Sequence, residues 1–265
     1  MIKLIATDVD GTLVKESSKE VYPELIDMIR KIIDQGVIFT IASGRQYSSI
    51  SKMFAEVNRP MFYIAENGAH ILEDDRTIGV TKMKREDIEG IMADLRQFYP
   101  ECHVVASAPE GSFIESKDER FITMIRDQYR NKVNLVDDIL KADVEYVKLA
   151  MYKKGSVREY GEGILVPKWE SRVKTCMAGE EWVDFMDYSV DKGNAIRVLQ
   201  ERLGVTPEET MVFGDNQNDV GMIRSAVESY AVENAVPETK AAAKHICPSY
   251  SEKGVYQVLK QLYDK

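Results

Sequence analysis

Short apolar segments alternate with amphipathic segments through the first 65 residues of the chain. Residues 2–7, 37–42 and 61–65 are short and apolar, as buried strands are. After the first of them, Pro23 begins a segment with apolar residues at helical spacing, and Gly36 ends it. A second helix-like segment separates the other two strands. Strands that alternate with helices in this way predict a parallel sheet with helices on both of its faces.

The same alternation returns towards the C-terminal end. Residues 191–203 are predicted to form a helix, and residues 211–215 form the next strand. Between them, Thr206 begins a capping box with proline at the first helical position, and only a short helical turn fits there. Further helices are predicted from Asp219 and from Pro237, and a last one runs to the C-terminus.

The middle of the chain has a different order, roughly helix, strand, strand, helix, strand, helix and a closing hairpin. Its candidate strands are residues 102–106, 112–115, 145–152, 172–178 and 181–187. We therefore predict an α/β protein with a doubly wound, Rossmann-like parallel-sheet core over residues 1–83 and 187–265. An α+β domain over residues 84–186 is predicted to be inserted into that core.

Composition narrows the functional classes. The 265-residue chain has a net charge of −9 and lacks the basic patch that usually marks nucleic-acid binding. It has no apolar run near the ~20 residues that cross a bilayer and no signal-peptide pattern. Cys102, Cys176 and Cys247 are odd in number and far apart, so they predict neither a zinc site nor a disulfide framework. These observations favour a cytoplasmic protein that binds neither nucleic acid nor membrane.

Two carboxylates directly follow the first predicted strand, in the segment Asp8-Val9-Asp10-Gly11-Thr12-Leu13. Side chains two positions apart on a strand point to the same side, so Asp8 and Asp10 can face one site. Gly11 lets the backbone turn through dihedral angles that other residues avoid. Because neighbouring carboxylates repel each other, the pair indicates a metal ion or a shared proton.

Three further segments place polar groups at strand ends or at a helix start. These groups are Ser43 after the second strand, Lys192 at the start of the later helix, and Asp215, Asn218 and Asp219 after the strand that follows it. In open parallel sheets, ligands bind beyond the carboxyl ends of the strands. We therefore expect these groups to converge with the first two carboxylates.

Taken together, the four segments resemble the four motifs of the haloacid dehalogenase (HAD) superfamily. Residues 8–13 match the first motif, Ser43 the second, Lys192 the third, and Gly214-Asp215-x-x-Asn218-Asp219 the fourth. The segments Asn67-Gly68-Ala69 and Asp191-Lys192-Gly193 are most similar to the Cof-type phosphatases of that superfamily. Residues 84–186 have the position and size of its type II cap.

This resemblance implies a role for each matching residue. Asp8 would attack phosphorus and form an aspartyl-phosphate, while Asp10 would protonate the leaving oxygen and then deprotonate water. The implied Mg²⁺ ligands are the carboxylates of Asp8 and Asp215 and the backbone carbonyl of Asp10, with Asp219 supporting that shell. The implied phosphoryl-binding groups are Ser43, Lys192, Asn218 and the backbone N–H groups of Val9 and Gly44.

Electrostatics supports the metal independently of the resemblance. Carboxylates facing a phosphate dianion repel it by about 4 kcal/mol for each pair of unit charges ~4 Å apart, at an effective dielectric of ~20. A divalent cation together with the Lys192 ammonium makes the net interaction with the phosphate attractive. Oxygen ligands without His or Cys favour Mg²⁺ over zinc.

For some residues, the sequence alone is compatible with two roles. Arg45 either reaches a substrate anion or pairs with a carboxylate. Asn67 either borders the site or occupies a left-handed turn before Gly68. Within the inserted domain the candidates for substrate contact, with packing as the favoured role, are Arg172, Lys174 and Trp182.

The predicted function is a Mg²⁺-dependent phosphatase for small phosphorylated metabolites, with sugar phosphates as a candidate class. A sugar phosphomutase of the same superfamily is the alternative enzyme, and it needs a second anion site in the cap. The basic residues there do not cluster in sequence: Lys148, Lys153, Lys154, Arg158 and Lys168. A non-catalytic sensor of phosphorylated metabolites is the alternative from another class. The sequence determines neither the substrate nor the oligomeric state.

Overall fold

The computed structural model describes residues 1–16, 18–98 and 101–264. It divides into two compact units, which we call the core unit (Met1–Gly79 with Asp191–Lys265) and the inserted unit (Val80–Val190). The inserted unit therefore starts and ends a few residues outside the predicted segment 84–186.

The secondary structure of the described residues comprises fourteen strands and ten α-helices. The strands are β1 (Leu4–Thr7), β2 (Ile38–Ala42), β3 (Phe62–Ala65), β4 (His70–Glu73), β5 (Arg76–Val80), β6 (His103–Ala108), β7 (Gly111–Ile114), β8 (Val133–Leu135), β9 (Lys148–Tyr152), β10 (Lys174–Met177), β11 (Trp182–Met186), β12 (Thr210–Gly214), β13 (Glu228–Val232) and β14 (His245–Cys247). The helices are α1 (Pro23–Asp34), α2 (Tyr47–Met53), α3 (Arg85–Leu95), α4 (Glu119–Thr123), α5 (Arg158–Tyr160), α6 (Val166–Trp169), α7 (Lys192–Leu203), α8 (Val220–Arg224), α9 (Pro237–Ala242) and α10 (Gly254–Tyr263). Short 3₁₀ segments include Glu66–Gly68, Ile139–Lys141, Pro207–Glu209 and Gln217–Asp219, and π-helical turns lie at Met124–Gln128 and Gly161–Leu165.

The core unit is built on an eight-stranded sheet in the order β14-β13-β12-β1-β2-β3-β4-β5. Neighbouring strands from β14 to β3 are parallel, and β4 runs antiparallel to β3. Leu4 of β1 lies beside Thr210 on one side and Ile38 on the other. Every residue of β1 is buried, as expected for a central parallel strand with both faces covered.

Helices cover both faces of this sheet. On one face, Ile5 belongs to a buried cluster with Leu25 of α1 and Val255 of α10. On the other face, Ala6 belongs to a cluster with Ile196 of α7. Full burial of a large aliphatic side chain stabilises the fold by about 1.5–3 kcal/mol. The predicted doubly wound α/β core is confirmed.

The inserted unit contains a six-stranded sheet in the order β10-β11-β9-β6-β7-β8. Only β7 and β8 pair in parallel among the strand pairs of its described residues. Leu149 packs on one face with Ile91 of α3, and Ala150 packs on the other face with Phe121 of α4. The predicted α+β organisation is confirmed. Across the described residues of both units, we find no helix with the length and apolar composition needed to cross a bilayer.

Sequence analysis did not predict five of the strands: β4, β5, β8, β13 and β14. Three of these, β5, β8 and β14, are edge strands with partly exposed residues, so they need no continuous apolar run. In β13, the buried positions include the polar Ser229, so burial does not appear in the sequence as an alternation of apolar and polar residues. Three predicted inserted strands are shorter than expected, because β9 begins at Lys148, β10 spans Lys174–Met177 and β11 spans Trp182–Met186.

Candidate active site

Asp8 lies at the carboxyl end of β1. Its backbone N–H donates to the Phe213 carbonyl of β12 at 3.0 Å, and its side chain is buried. Gly11 follows with a φ of +84°, and a Cβ there would lie 2.3 Å from Oδ2 of Asp215. The turn therefore needs glycine both for its backbone angle and for the close approach of Asp215.

Helix α7 begins at Lys192, whose side chain extends to this strand end. Asp191 caps the helix, and its carboxylate accepts a hydrogen bond from the Gly193 N–H at 2.8 Å. The Lys192 ammonium is completely buried and donates to Oδ1 of Asp8 and to Oδ1 of Asp219, each at 2.6 Å. Burial opposes its charge, but the carboxylates of Asp219 and Asp8 outweigh burial and hold the pKa of Lys192 above its ordinary value.

Three carboxylates gather beside this ammonium. Asp8, Asp215 and Asp219 each offer one oxygen, and these oxygens lie within 4.8 Å of one another. Thr12 donates to Oδ1 of Asp215 at 2.7 Å. Oδ2 of Asp219 accepts from the backbone N–H groups of Asp215 and Asn216 at 2.9 and 3.0 Å, so Asp219 supports the loop that carries Asp215.

Among the described residues, the three carboxylates of this cluster gather beside the single ammonium of Lys192, so negative groups outnumber positive ones. Burial raises the pKa of Asp8 well above its ordinary value, although Lys192 opposes the shift. Burial likewise raises the pKa of Asp215 to about 6, and the charge of Asp219 adds to that shift. Oδ2 of Asp8 is buried and has no hydrogen-bond partner within residues 1–16, 18–98 and 101–264. A divalent cation would supply the missing charge and contact, so this set of oxygen donors fits Mg²⁺.

Ser43 links the loops that follow β2 and β3. Its N–H donates to the Ile64 carbonyl at 2.8 Å, and its carbonyl accepts from the Asn67 N–H at 3.0 Å. Its hydroxyl accepts from the Arg45 N–H at 3.1 Å. A Cβ on Gly44 would lie 3.0 Å from Oδ1 of Asn67, so the two loops are also in close contact there.

The loop after β3 has an unusual backbone. Glu66, Asn67 and Gly68 have φ angles of +50°, +58° and +107°. A Cβ on Gly68 would lie 2.6 Å from the Asp191 carbonyl oxygen, so the loop packs closely against the start of α7. Oδ1 of Asn67 accepts from Nδ2 of Asn218 at 2.9 Å. Asn67 therefore both adopts a left-handed conformation and contacts a predicted phosphate-binding residue.

Asp10 is paired with Arg45. Nε and Nη2 of Arg45 donate to the two carboxylate oxygens of Asp10 at 2.7 and 2.5 Å. Of the two roles left open for Arg45, the structure shows pairing with a carboxylate. Val9, between the two aspartates, has a completely buried side chain.

Sequence analysis gave no role to Thr12, Asp191 or Asn234. Thr12 stands inside the first motif, and Asp191 has the residue type and position of a helix N-cap, so both had a signal. Nδ2 of Asn234 donates to the Gly11 carbonyl at 2.8 Å, across a sequence separation of 223 positions. No local pattern marks a contact of that kind.

Within the described part of the chain, seven of the eight candidate residues of the inserted unit, all but Lys154, are engaged in separate contacts. The basic side chains pair as follows: Lys148 with Asp184 at 3.2 Å, Arg158 with Glu180 at 2.8 Å, Lys168 with Asp94 at 2.8 Å, and Lys153 over the ring of Tyr160 at 4.4 Å. Three further contacts are Arg172 with Asp87, Lys174 with the Val190 carbonyl, and Trp182 against Tyr152. These pairs give no support to the second anion site that a phosphomutase needs.

Comparison with known families identifies a class of hydrolases that is consistent with this fold and this buried cluster. A family model described as haloacid dehalogenase-like hydrolase matches residues 5–259, and the chain belongs to this family. The matched residues include every predicted site residue.

Named relatives agree with this assignment. The chain is 25% identical to the 5-amino-6-(5-phospho-D-ribitylamino)uracil phosphatase YbjI of Escherichia coli over 97% of this chain and 95% of that protein. It is 28% identical to a phosphoglycolate phosphatase of Thermoplasma volcanium over 95% of this chain and 93% of that protein. The chain is also similar to the crystal structure of a protein from Eubacterium rectale, with a TM-score of 0.88 and 37% sequence identity. The match covers 98% of this chain and 99% of that one. The prediction of a HAD-type phosphatase, a phosphoric monoester hydrolase, is confirmed.

Proposed function

We propose that this protein hydrolyses phosphate monoesters of small metabolites, sugar phosphates among them, in a Mg²⁺-dependent reaction with an aspartyl-phosphate intermediate. One observation carries the proposal: three carboxylates gather beside an ammonium that donates to two of them, and Oδ2 of Asp8 lacks a hydrogen-bond partner in the described part of the chain. An oxygen without a donor keeps its lone pairs available to phosphorus or to a cation.

The reaction proceeds in two half-reactions. First, a carboxylate oxygen of Asp8 bonds to phosphorus while the bond from phosphorus to the ester oxygen breaks. The electron pair of that bond moves to the ester oxygen, which takes a proton from the Asp10 carboxyl group. Then a water oxygen bonds to phosphorus, Asp8 leaves with its electron pair, and Asp10 takes a proton from the water. Both aspartates return to their initial states and inorganic phosphate is released.

The remaining groups hold the ion and the phosphoryl oxygens. Mg²⁺ would be held by the carboxylates of Asp8 and Asp215 and by the Asp10 carbonyl, with Asp219 supporting the Asp215 loop. When bound, the ion offsets negative charge on the phosphoryl group. The groups proposed to hold the phosphoryl oxygens are Ser43, Lys192, Asn218 and the N–H groups of Val9 and Gly44.

The names of the relatives support small phosphorylated substrates. They act on a phosphorylated ribitylaminouracil and on phosphoglycolate, both of which are phosphate esters of alcohols. We further propose that residues 84–186 are a type II cap that contributes substrate specificity. The buried thiols of Cys102 and Cys247 suit a reducing compartment, and we propose the cytoplasm.

Phosphate release tests this proposal. The panel comprises sugar phosphates, phosphoglycolate, nucleotides and p-nitrophenyl phosphate, each with Mg²⁺ and with a chelator. We expect release that requires the metal and that Asp8→Asn abolishes, because the amide cannot attack phosphorus yet still accepts from Lys192.

The possible results separate the alternatives. Full activity of Asp8→Asn would contradict the covalent intermediate, and release unaffected by chelation would contradict the role of the metal. Isomerised sugar phosphate without free phosphate would identify a mutase. Tight binding of phosphate esters without turnover would identify a sensor.

A further inference from the structure

Arg45 holds both oxygens of the Asp10 carboxylate. Nε donates to Oδ2 at 2.7 Å, and Nη2 donates to Oδ1 at 2.5 Å. A planar guanidinium with two parallel N–H donors defines both the position and the plane of a carboxylate. A lysine ammonium acts as a point charge and would not define that plane.

The guanidinium is itself held by the core unit. Nη1 donates to the Ser18 carbonyl at 2.8 Å and lies 3.1 Å from the sulfur of Met53. The backbone N–H of Arg45 donates to the Ser43 hydroxyl. The Arg45 side chain is 14% exposed, against 27% for Asp10. Arg45 is therefore a fixed support that carries the more exposed Asp10 carboxylate.

We infer that Arg45 is a positioning residue that orients Asp10 for proton transfer to the ester oxygen, and that it thereby sets which leaving groups the enzyme expels. This inference rests on the proposed function. As the bond from phosphorus to the ester oxygen breaks, the proton moves from one Asp10 oxygen to the ester oxygen, which has received the electron pair. The second Asp10 oxygen keeps its hydrogen bond from Arg45, so the plane of the carboxyl group stays defined during the transfer.

This role matters most for phosphate esters of alcohols. An alkoxide is a poor leaving group, so it needs the proton as it departs, and a general acid contributes about 10²–10⁴-fold to such a step. A p-nitrophenolate is stable as an anion and departs with little help. Alkyl and sugar phosphates are thus the substrate class that depends on Arg45.

A comparison of two esters tests the inference. The hydrolysis of glucose 6-phosphate, or of the panel's fastest sugar phosphate, is measured beside that of p-nitrophenyl phosphate for wild type, Arg45→Ala, Arg45→Lys and Asp10→Asn. We expect Arg45→Ala to lower kcat/KM, which reports the first half-reaction in which the ester oxygen departs, at least about tenfold more for the sugar phosphate than for the aryl ester, as Asp10→Asn does. Arg45→Lys keeps the charge and is expected to show most of the same selective loss.

A double variant and a matched control complete the design. Arg45→Ala combined with Asp10→Asn is expected to be no slower than Asp10→Asn alone, because both changes remove one function. Arg59 forms the same kind of two-point pair with Asp34, at 2.6 and 3.1 Å, on the surface of the core unit. Arg59→Ala is therefore expected to hydrolyse both esters at the wild-type rate.

The outcomes distinguish this inference from the function on which it rests. Equal losses on the two esters, or additive losses in the double variant, would overturn the inference and leave the phosphatase proposal standing. Failure of the wild-type protein to hydrolyse either ester would overturn both. If Arg45→Ala does not fold, as judged by circular dichroism, Arg45→Lys takes its place in the test. Equal losses on the sugar phosphate and on p-nitrophenyl phosphate in that variant would overturn the inference.

Discussion

The core unit and the inserted unit each contain a basic side chain between two carboxylates. In the core unit, Lys192 donates to Asp8 and Asp219. In the inserted unit, Arg96 donates to Glu115 and Asp138. The same three charges are present, but their surroundings differ, and that difference separates a site from a structural support.

In the inserted unit, the carboxylates also receive backbone hydrogen bonds. Oε1 of Glu115 accepts from the Ile139 N–H at 2.6 Å, and Oδ1 of Asp138 accepts from the Leu140 N–H at 2.9 Å. The hydrogen bond from Arg96 lowers the pKa of Asp138 below its ordinary value. This cluster therefore fixes the 3₁₀ turn that begins at Ile139 and stabilises the fold.

In the core unit, burial raises the pKa of Asp8 and that of Asp215, the latter to about 6. A third buried carboxylate stands in the same group, and one oxygen of Asp8 has no donor among the described residues. Such a cluster costs folding energy until a cation or an electrophile compensates it. Between these two clusters, the carboxylate oxygen of Asp8 that is left without a donor, rather than the presence of charges, distinguishes the candidate site.

The largest effect is expected for Lys192→Met. Removal of the completely buried ammonium leaves Asp8 and Asp219 without their cation, which costs about 3–5 kcal/mol of stability for a buried pair. Turnover should fall below detection. Urea denaturation should show the loss, and Mg²⁺ at about 100 times its Kd should restore up to about 2.7 kcal/mol.

The same substitution at Lys244 is the control. This lysine pairs with Glu228 at the surface of the core unit and is 47% exposed, so its loss should change stability by less than about 1 kcal/mol. Unchanged stability of Lys192→Met would contradict the view that its cluster is electrostatically unbalanced.

The fold was largely predictable because the central strands are buried on both faces. The apolar runs at β1, β2 and β12 are direct consequences of that burial. Strands such as β5 and β14 lie at the edge, where pairing on one side and partial exposure remove the apolar signal. Their place in the sheet follows from tertiary pairing, which no local pattern encodes.

The grouping of the candidate site residues was predictable to a similar degree. Asp8, Lys192 and Asp215 stand at strand and helix ends, where their residue types are recognisable. The pairing of Arg45 with Asp10 could not be decided from the sequence, because it depends on the packing of two loops. The bond from Thr12 to Asp215 spans 203 positions and was not predicted at all.

An intermediate effect is expected for Thr12→Val. The hydroxyl of Thr12 orients Asp215, and loss of such an outer partner typically lowers metal affinity about 10–100-fold. The Mg²⁺ concentration for half-maximal activity should rise by that factor, and the Mg²⁺-dependent increase in Tm should shift to higher concentration.

Thr40→Val is the matched control for that change. Thr40 is also buried in the core unit, but its hydroxyl has no hydrogen-bond partner among the residues described. Its removal should leave the Mg²⁺ dependence unchanged and should not lower Tm. A rise in the required Mg²⁺ concentration for both variants would show that the effect is general rather than specific to Asp215.

The smallest effect on activity is expected for Glu115→Gln, which changes the inserted unit's cluster alone. The amide oxygen can still accept from the Ile139 N–H, while the charge that faces Arg96 is lost. Because the Arg96 side chain is 34% exposed, solvent screening limits the cost to about 0.5–1 kcal/mol. Urea denaturation should detect that loss, and kcat/KM should stay within about twofold of wild type because every acceptor in the core unit's cluster is unchanged. A larger fall in kcat/KM would contradict the distinction between the two clusters, since it would mean that the Arg96 cluster contributes to the reaction as well as to the stability of the fold.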